Sequence, residues 1–254
     1  ATIGPKIENY YMLAASPSVY KPKVLKAFRF GGHGAAFGAS TSPGVGIKYE
    51  GENGFASSLT INSHEADTTT GFLTKDDKTK VNLMGAYTQD NYHVSATFTS
   101  QRNGFGAYDY YATHDLQDQT EDLDGWALRA WWRPEDQGTA VPNVSVGYDT
   151  VSYNTTAAGK YKSGEGFSIA FNWSDMFQAD DTIGIALGQP IKGTDNVTAG
   201  TVDTDPFLWE VYYSFKPNDS IEITPAIFGA SDAVSTTNTD DDIFGAVLAT
   251  TFKF

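Results

Sequence analysis

The chain has 254 residues, of which 40% are hydrophobic, 14% aromatic and 19% charged, with a formal net charge of −14 and no cysteine. The acidic balance argues against nucleic acid as a partner, and the lack of cysteine removes disulfides and thiolate metal sites. No run approaches the roughly 20 apolar residues of a membrane-crossing helix, a limit that does not bear on membrane proteins built from strands.

Ala1 opens directly into polar sequence, which reads as a processed chain or one that begins inside a longer gene product. Residues 1–23 carry Pro5, Pro17 and Pro22 without alternation and read as an irregular connector or a segment inside a lumen. Val24–Phe30 has the pattern of a first strand, and the small-residue stretch Gly31–Gly46 is ambiguous. From Val45 onward hairpins arrive in series. Val45, Ile47 and Tyr49 alternate with Gly46, Lys48 and Glu50, and a Gly51-Glu52-Asn53-Gly54 turn leads into Phe55–Ile61. Further strand patterns cover 81–87, 92–98, 126–133, 144–148, 167–173 and 183–187.

The clearest pattern lies near the end of the chain. Phe207, Trp209, Val211, Tyr213 and Phe215 fall on one face of a strand, with Leu208, Glu210, Tyr212, Ser214 and Lys216 on the other. A Lys216–Asp219 turn follows, and alternation resumes at Ile221, Ile223, Pro225 and Ile227. A last strand runs from Phe244 to an aromatic terminus, Phe254. Short connections at 51–54, 89–91, 134–142, 174–181 and 216–219 alternate with long ones at 64–79, 102–124, 154–165, 188–206 and 230–242. Short turns at one rim and long loops at the other predict an all-β, antiparallel up-and-down transmembrane barrel of roughly twelve strands, a single domain over 1–254. A Greek-key sandwich has no such rule for its loops.

Several stretches carry a resemblance. They are Gly4-Pro5-Lys6 with Met12-Leu13, Pro17-Ser18-Val19-Tyr20, Pro142–Tyr148, Trp173–Pro190, and Ile221–Pro225 through Asp241-Asp242 to Thr251–Phe254. In order and spacing these resemble a cyanobacterial outer-membrane porin of the carbohydrate-selective or iron-uptake family. The resemblance implies a homotrimeric diffusion channel of about sixteen strands, in contact with outer-membrane lipid or lipopolysaccharide. It also implies an N-terminal surface-layer-homology domain that holds peptidoglycan. The chain carries no such domain and lacks the family's first few strands. It therefore reads as a shortened barrel or as the C-terminal part of a longer porin.

If the apolar faces meet lipid, the opposite faces line a lumen, and they supply Lys48, Glu50, His93, Gln101, Arg129, Arg133, Asp149, Glu210, Lys216 and Glu222. Mixed charges on a channel wall order water and select ions, although some can pair and merely fill the interior. The loop from Arg102 carries Asp109, Asp115, Asp118, Glu121, Asp122 and Asp124, an acidic constriction or mouth that would concentrate inorganic cations. The expected activity is passive diffusion of small hydrophilic solutes and ions, with a preference for cations. No cofactor and no catalysis are expected: His33, His64, His93 and His114 have no metal-ligand spacing, and no serine is set beside a base. Two other readings stand beside this one. One is a plugged barrel with a structural role; the other is a secreted β-sandwich that binds carbohydrate through Tyr108, Tyr110 and Tyr111.

Overall fold

The computed structural model describes residues 1–8, 13–32, 37, 40–104, 122–158, 160–197, 205–232 and 242–253. Twelve strands follow one another: β1 (Thr2–Glu8), β2 (Thr41–Glu50), β3 (Phe55–Ser63), β4 (Thr79–Thr88), β5 (Tyr92–Arg102), β6 (Leu123–Trp132), β7 (Asn143–Tyr153), β8 (Tyr161–Ser174), β9 (Thr182–Asn196), β10 (Phe207–Asn218), β11 (Ile221–Ser231) and β12 (Ile243–Phe252). Each strand pairs with its chain neighbours in one antiparallel sheet of order β1 to β12. This is the up-and-down meander that the alternation and the loop lengths imply. Among the described residues β1 and β12 share no ladder, and β12 is exposed on both faces.

The first strand is not where the pattern places it. Val24–Phe30 forms no ladder and contains only a single 3₁₀ turn, Lys26–Phe28. Its amides at Val24 and Leu25 bond a side chain of β10 instead of a neighbouring strand. The first strand is β1, within the stretch read as a connector. Pro5 is tolerated there because β1 has a neighbour on one side only and its register shifts between Gly4 and Ile7.

Register carries the two faces around the sheet. On the outer face one row of directly opposed residues runs Phe55, Tyr87, Val94, Ala130, Val146, Ile169, Leu187, Trp209, Gly229 and Phe244. A second runs Ile47, Leu59, Leu83, Phe98 and Trp126. Many of these apolar side chains are open to the surroundings, Phe55 at 58%, Leu83 at 53% and Phe244 at 72% exposure. The inner face is different: Ser58, Thr60, Asn62, Lys80, Asn82, His93, Thr97, Gln101, Arg129, Asp149 and Glu210 are all buried there.

A strap covers that inner face. Residues 13–32, with Phe37, leave the sheet between β1 and β2 and lie across its polar side. Ala14 N reaches Ser58 of β3, Val19 N reaches Ser145 of β7, and the Tyr20 hydroxyl reaches Glu210 of β10. On a flat sheet β7 and β10 would stand ~14 Å apart at ~4.8 Å per strand. Adjacent residues bridge that gap only because the sheet curls around the strap. Apolar packing is confined to two clusters. Leu13, Ala14 and Phe37 pack on Met84, Ala127 and Val151, while Tyr20, Ala27 and Phe28 pack on Ala170, Ala186, Leu208 and Tyr212.

Candidate functional site

The wall between the two clusters is polar because it holds strap backbone. Arg129 is the centre of the clamp. Its Nε donates to Phe30 O at 2.7 Å, Nη1 donates to Leu128 O and Tyr148 O, and Nη2 donates to Asp149 Oδ1 at 2.6 Å. Both charged side chains are sealed from solvent, at 0% and 1% exposure. Beside them Ser168 Oγ donates to Gly31 O at 2.6 Å. Gly147, between Arg129 and Ser168 in the register, lets that carbonyl lie against the sheet, because a Cβ there would overlap Gly31 O. Gly31 itself has φ +67, a left-handed conformation that costs glycine little.

Glu210 forms the second anchor. This fully buried side chain accepts the Tyr20 hydroxyl at 2.8 Å, Leu25 N at 2.7 Å and Val24 N at 3.1 Å. Among the described residues no cation lies within ion-pair distance of it, so three donors alone satisfy the carboxylate. Nearby, the Tyr212 hydroxyl donates to Lys21 O, and Lys23 pairs with Glu222 at 2.6 Å. Trp131 Nε1 donates to Ser16 O, its ring stacked on His93, whose nitrogens contact Thr88 Oγ1 and Ser95 Oγ.

Of the wall residues expected to line a pore, Arg129, Asp149, Glu210 and Glu222 therefore hold the strap. His93 supports Trp131 beneath it. The remaining four lie toward the short-turn rim. Lys48 and Glu50 pair with each other at 2.8 Å, Lys216 pairs with Asp180 at 3.3 Å, and Arg133 Nε donates to Asp90 O at 2.6 Å. Gln101 faces inward and is buried, with no partner for its amide among the described residues.

The acidic mouth fares differently. Asp109, Asp115, Asp118 and Glu121 lie outside the described residues, as do Tyr108, Tyr110, Tyr111, His33, His114 and Phe254. Asp124 is on the outer face, since its neighbours Leu123 and Gly125 point inward, and it takes two bonds from Arg102 at 2.9 and 3.1 Å. Asp122 accepts Asn103 N at 2.7 Å. Both described acids thus tie loop ends together at the long-loop rim, and neither faces the lumen.

Two cavities flank the strap. One of about 820 Å³ opens among the short turns and is bounded by Ser16, Lys21 and Lys23 of the strap, Asp90, Arg133 and Glu135 of the rim, and Asn143 and Asn172 of the wall. A second, of about 760 Å³, is lined almost wholly by the strap, including Lys21, Lys26 and Arg29, with Glu50 added from β2. Sequence reasoning missed these strap cations. The signal was present: four of them fall within the nine residues from Lys21 to Arg29, between Pro17 and the Gly31-Gly32 pair.

Outside the strands, Asp181 organises one short turn. It accepts Met176 N, Phe177 N and Gln178 N at 2.8, 2.9 and 3.1 Å, and the Tyr213 hydroxyl at 3.1 Å. Burial pushes its carboxyl up, but these four donors outweigh that and hold it below the ordinary value. No group of three or more His, Asp or Glu arranged for a metal ion occurs among the described residues.

No protein-family model matches the chain, and neither does any curated protein.

Proposed function

We propose that this protein is an outer-membrane porin, a diffusion channel for small hydrophilic solutes and ions. One observation carries the proposal: an apolar outer face and a polar inner face run in register around a single antiparallel sheet. Exposed apolar rows of that extent far exceed the few hundred Å² usual on a soluble monomer, and lipid is the surrounding that suits them. A sheet edge cannot stay unpaired in a bilayer. Because β1 and β12 run in opposite senses, the same kind of ladder can close the seam between them.

Solutes would pass through the water-filled spaces beside the strap, the cavities of about 820 and 760 Å³. Selectivity in such a channel is set where it is narrowest, so the net charge of −14 acts mainly at the mouths. Homotrimeric assembly and a bacterial source follow from the resemblance to cyanobacterial porins and belong to the same proposal. The seating of the strap favours a second reading, a plugged barrel whose lumen opens only when the strap leaves. Reconstitution in a planar bilayer separates the two. Discrete current steps from the full chain are the expected result; well-folded, inserted protein without steps would establish the plugged state instead.

A further inference from the structure

We propose that the strap carries an anion site, in which Lys21, Lys26 and Arg29 bind small inorganic oxyanions and make the channel select anions at its centre. The inference rests on reading the lumen as a water-filled path. It runs against the net charge of −14 and against the expectation of cation preference drawn from it.

Local backbone geometry aims these side chains. Lys26 opens the 3₁₀ turn and Arg29 closes it with φ −59 and ψ −36. Side chains three residues apart in a 3₁₀ turn eclipse one another, so the ammonium and the guanidinium project from the same side. Ala27 and Phe28, between them, are buried against Ala170, Ala186 and Leu208 of the wall. The strap thus turns its apolar side to the sheet and its cations to the cavity, where Lys21, Lys26 and Arg29 are all exposed.

The charges in that cavity are one-sided. Lys21, Lys26 and Arg29 meet a single acid, Glu50, which Lys48 already neutralises at 2.8 Å. Among the described residues no carboxylate lies within ion-pair distance of Lys21 or Lys26. Lys23, by contrast, is committed to Glu222. Ammonium and guanidinium groups are donors only, and the planar fork of arginine suits an oxyanion that accepts several bonds at once. Low-dielectric walls around such a cluster concentrate counter-ions of opposite sign.

The test uses the full-length protein and its Lys21→Gln/Lys26→Gln/Arg29→Gln variant. All three side chains are exposed, so the variant keeps the sheet, and a heat-modifiable gel shift checks this. Bilayer reversal potentials under a KCl gradient are expected to show chloride preference in the parent. Each charge removed should lower the chloride-to-potassium ratio about threefold, from Coulomb's law at ~6 Å in water. Broadening of the phosphorus resonance of inorganic phosphate by detergent-solubilised protein is expected for the parent and lost in the variant. Current steps with potassium preference that the variant leaves unchanged would overturn the anion site while keeping the channel. Phosphate broadening lost in the variant, without current steps in the parent, would keep the site and refute the channel. Neither steps nor broadening would refute both.

Discussion

Replacing Glu210 by alanine should release the strap from the wall. The substitution removes the acceptor of three donors, Tyr20 Oη, Val24 N and Leu25 N, at 2.8, 3.1 and 2.7 Å. The tyrosine hydroxyl can turn toward cavity water, but the two backbone amides at the mouth of the 3₁₀ turn lose their acceptor. An orphaned buried donor costs ~1–3 kcal/mol, so the amides together lose ~4 kcal/mol. Losing the buried carboxylate also removes its desolvation cost, leaving ~2–4 kcal/mol, or roughly thirtyfold to a thousandfold in the ratio of docked to released strap. Limited trypsin digestion in detergent reads that ratio, because the protease is too large for the lumen and the bonds after Lys23, Lys26 and Arg29 become accessible only on release. When release is fast relative to cleavage, the rate follows the released population. Glu222→Gln is the control. Its pair with Lys23 is partly exposed, 31% and 22%, so it is worth at most ~1 kcal/mol and about fivefold in rate. Equal cleavage of the parent and Glu210→Ala, or a larger effect from Glu222→Gln, would refute the assignment of Glu210 as an anchor.

Arg129→Met leaves Asp149 buried without its cation and should lower stability by ~3–5 kcal/mol, read as a drop in the temperature of the gel-shift transition; the Arg129→Met/Asp149→Leu pair should recover much of it. Gly147→Ala puts a methyl group where Gly31 O lies, so trypsin should then reach Arg29 while the strand content by circular dichroism stays unchanged. Asp181 has a lowered carboxyl pKa in the folded protein, so its contribution to stability is complete above the unfolded value of about 4 and fades as pH falls through the folded one. The difference in thermal midpoint between the parent and Asp181→Asn should therefore be largest at neutral pH and vanish in acid, and a difference independent of pH would refute this role. Brominated lipid should quench a single-tryptophan protein retaining Trp126, 50% exposed on the outer face, and leave one retaining Trp131, 7% exposed beneath the strap, bright. Equal quenching would argue against lipid on the outer face.

The sheet was legible because its signal is local. Alternation in Phe207–Phe215 and Ile221–Ile227 follows from strand geometry itself, and turn lengths give the order of the strands. Strand ends were harder to place. β8 and β9 reach back to Tyr161 and on to Asn196 because their arms pair beyond the apolar band, where polar sequence such as Lys162-Ser163-Gly164 has no alternation to show. The inward position of Arg129, Asp149 and Glu210 was readable from parity, but their task was not. A polar residue facing a lumen has the same pattern whether it meets water or backbone. What it meets here is brought from 99 to 190 residues away, as in Arg129 with Phe30 and Tyr20 with Glu210. Val24–Phe30 misled for the same reason, since its apolar residues pack on the small side chains of β8, β9 and β10.

The strap and the sheet also differ in how they are written into the chain. Every ladder joins neighbours, so the wall can grow hairpin by hairpin at low loop-closure cost. The strap anchors at β10 and β11 close over 185 to 199 residues and pay the largest entropy of any contact in the molecule. Contacts of that kind form last and open first, and opening them breaks no ladder bond. Wall and strap are thus separate cooperative units, and the lumen can be emptied and refilled by thermal motion while the barrel wall stays folded.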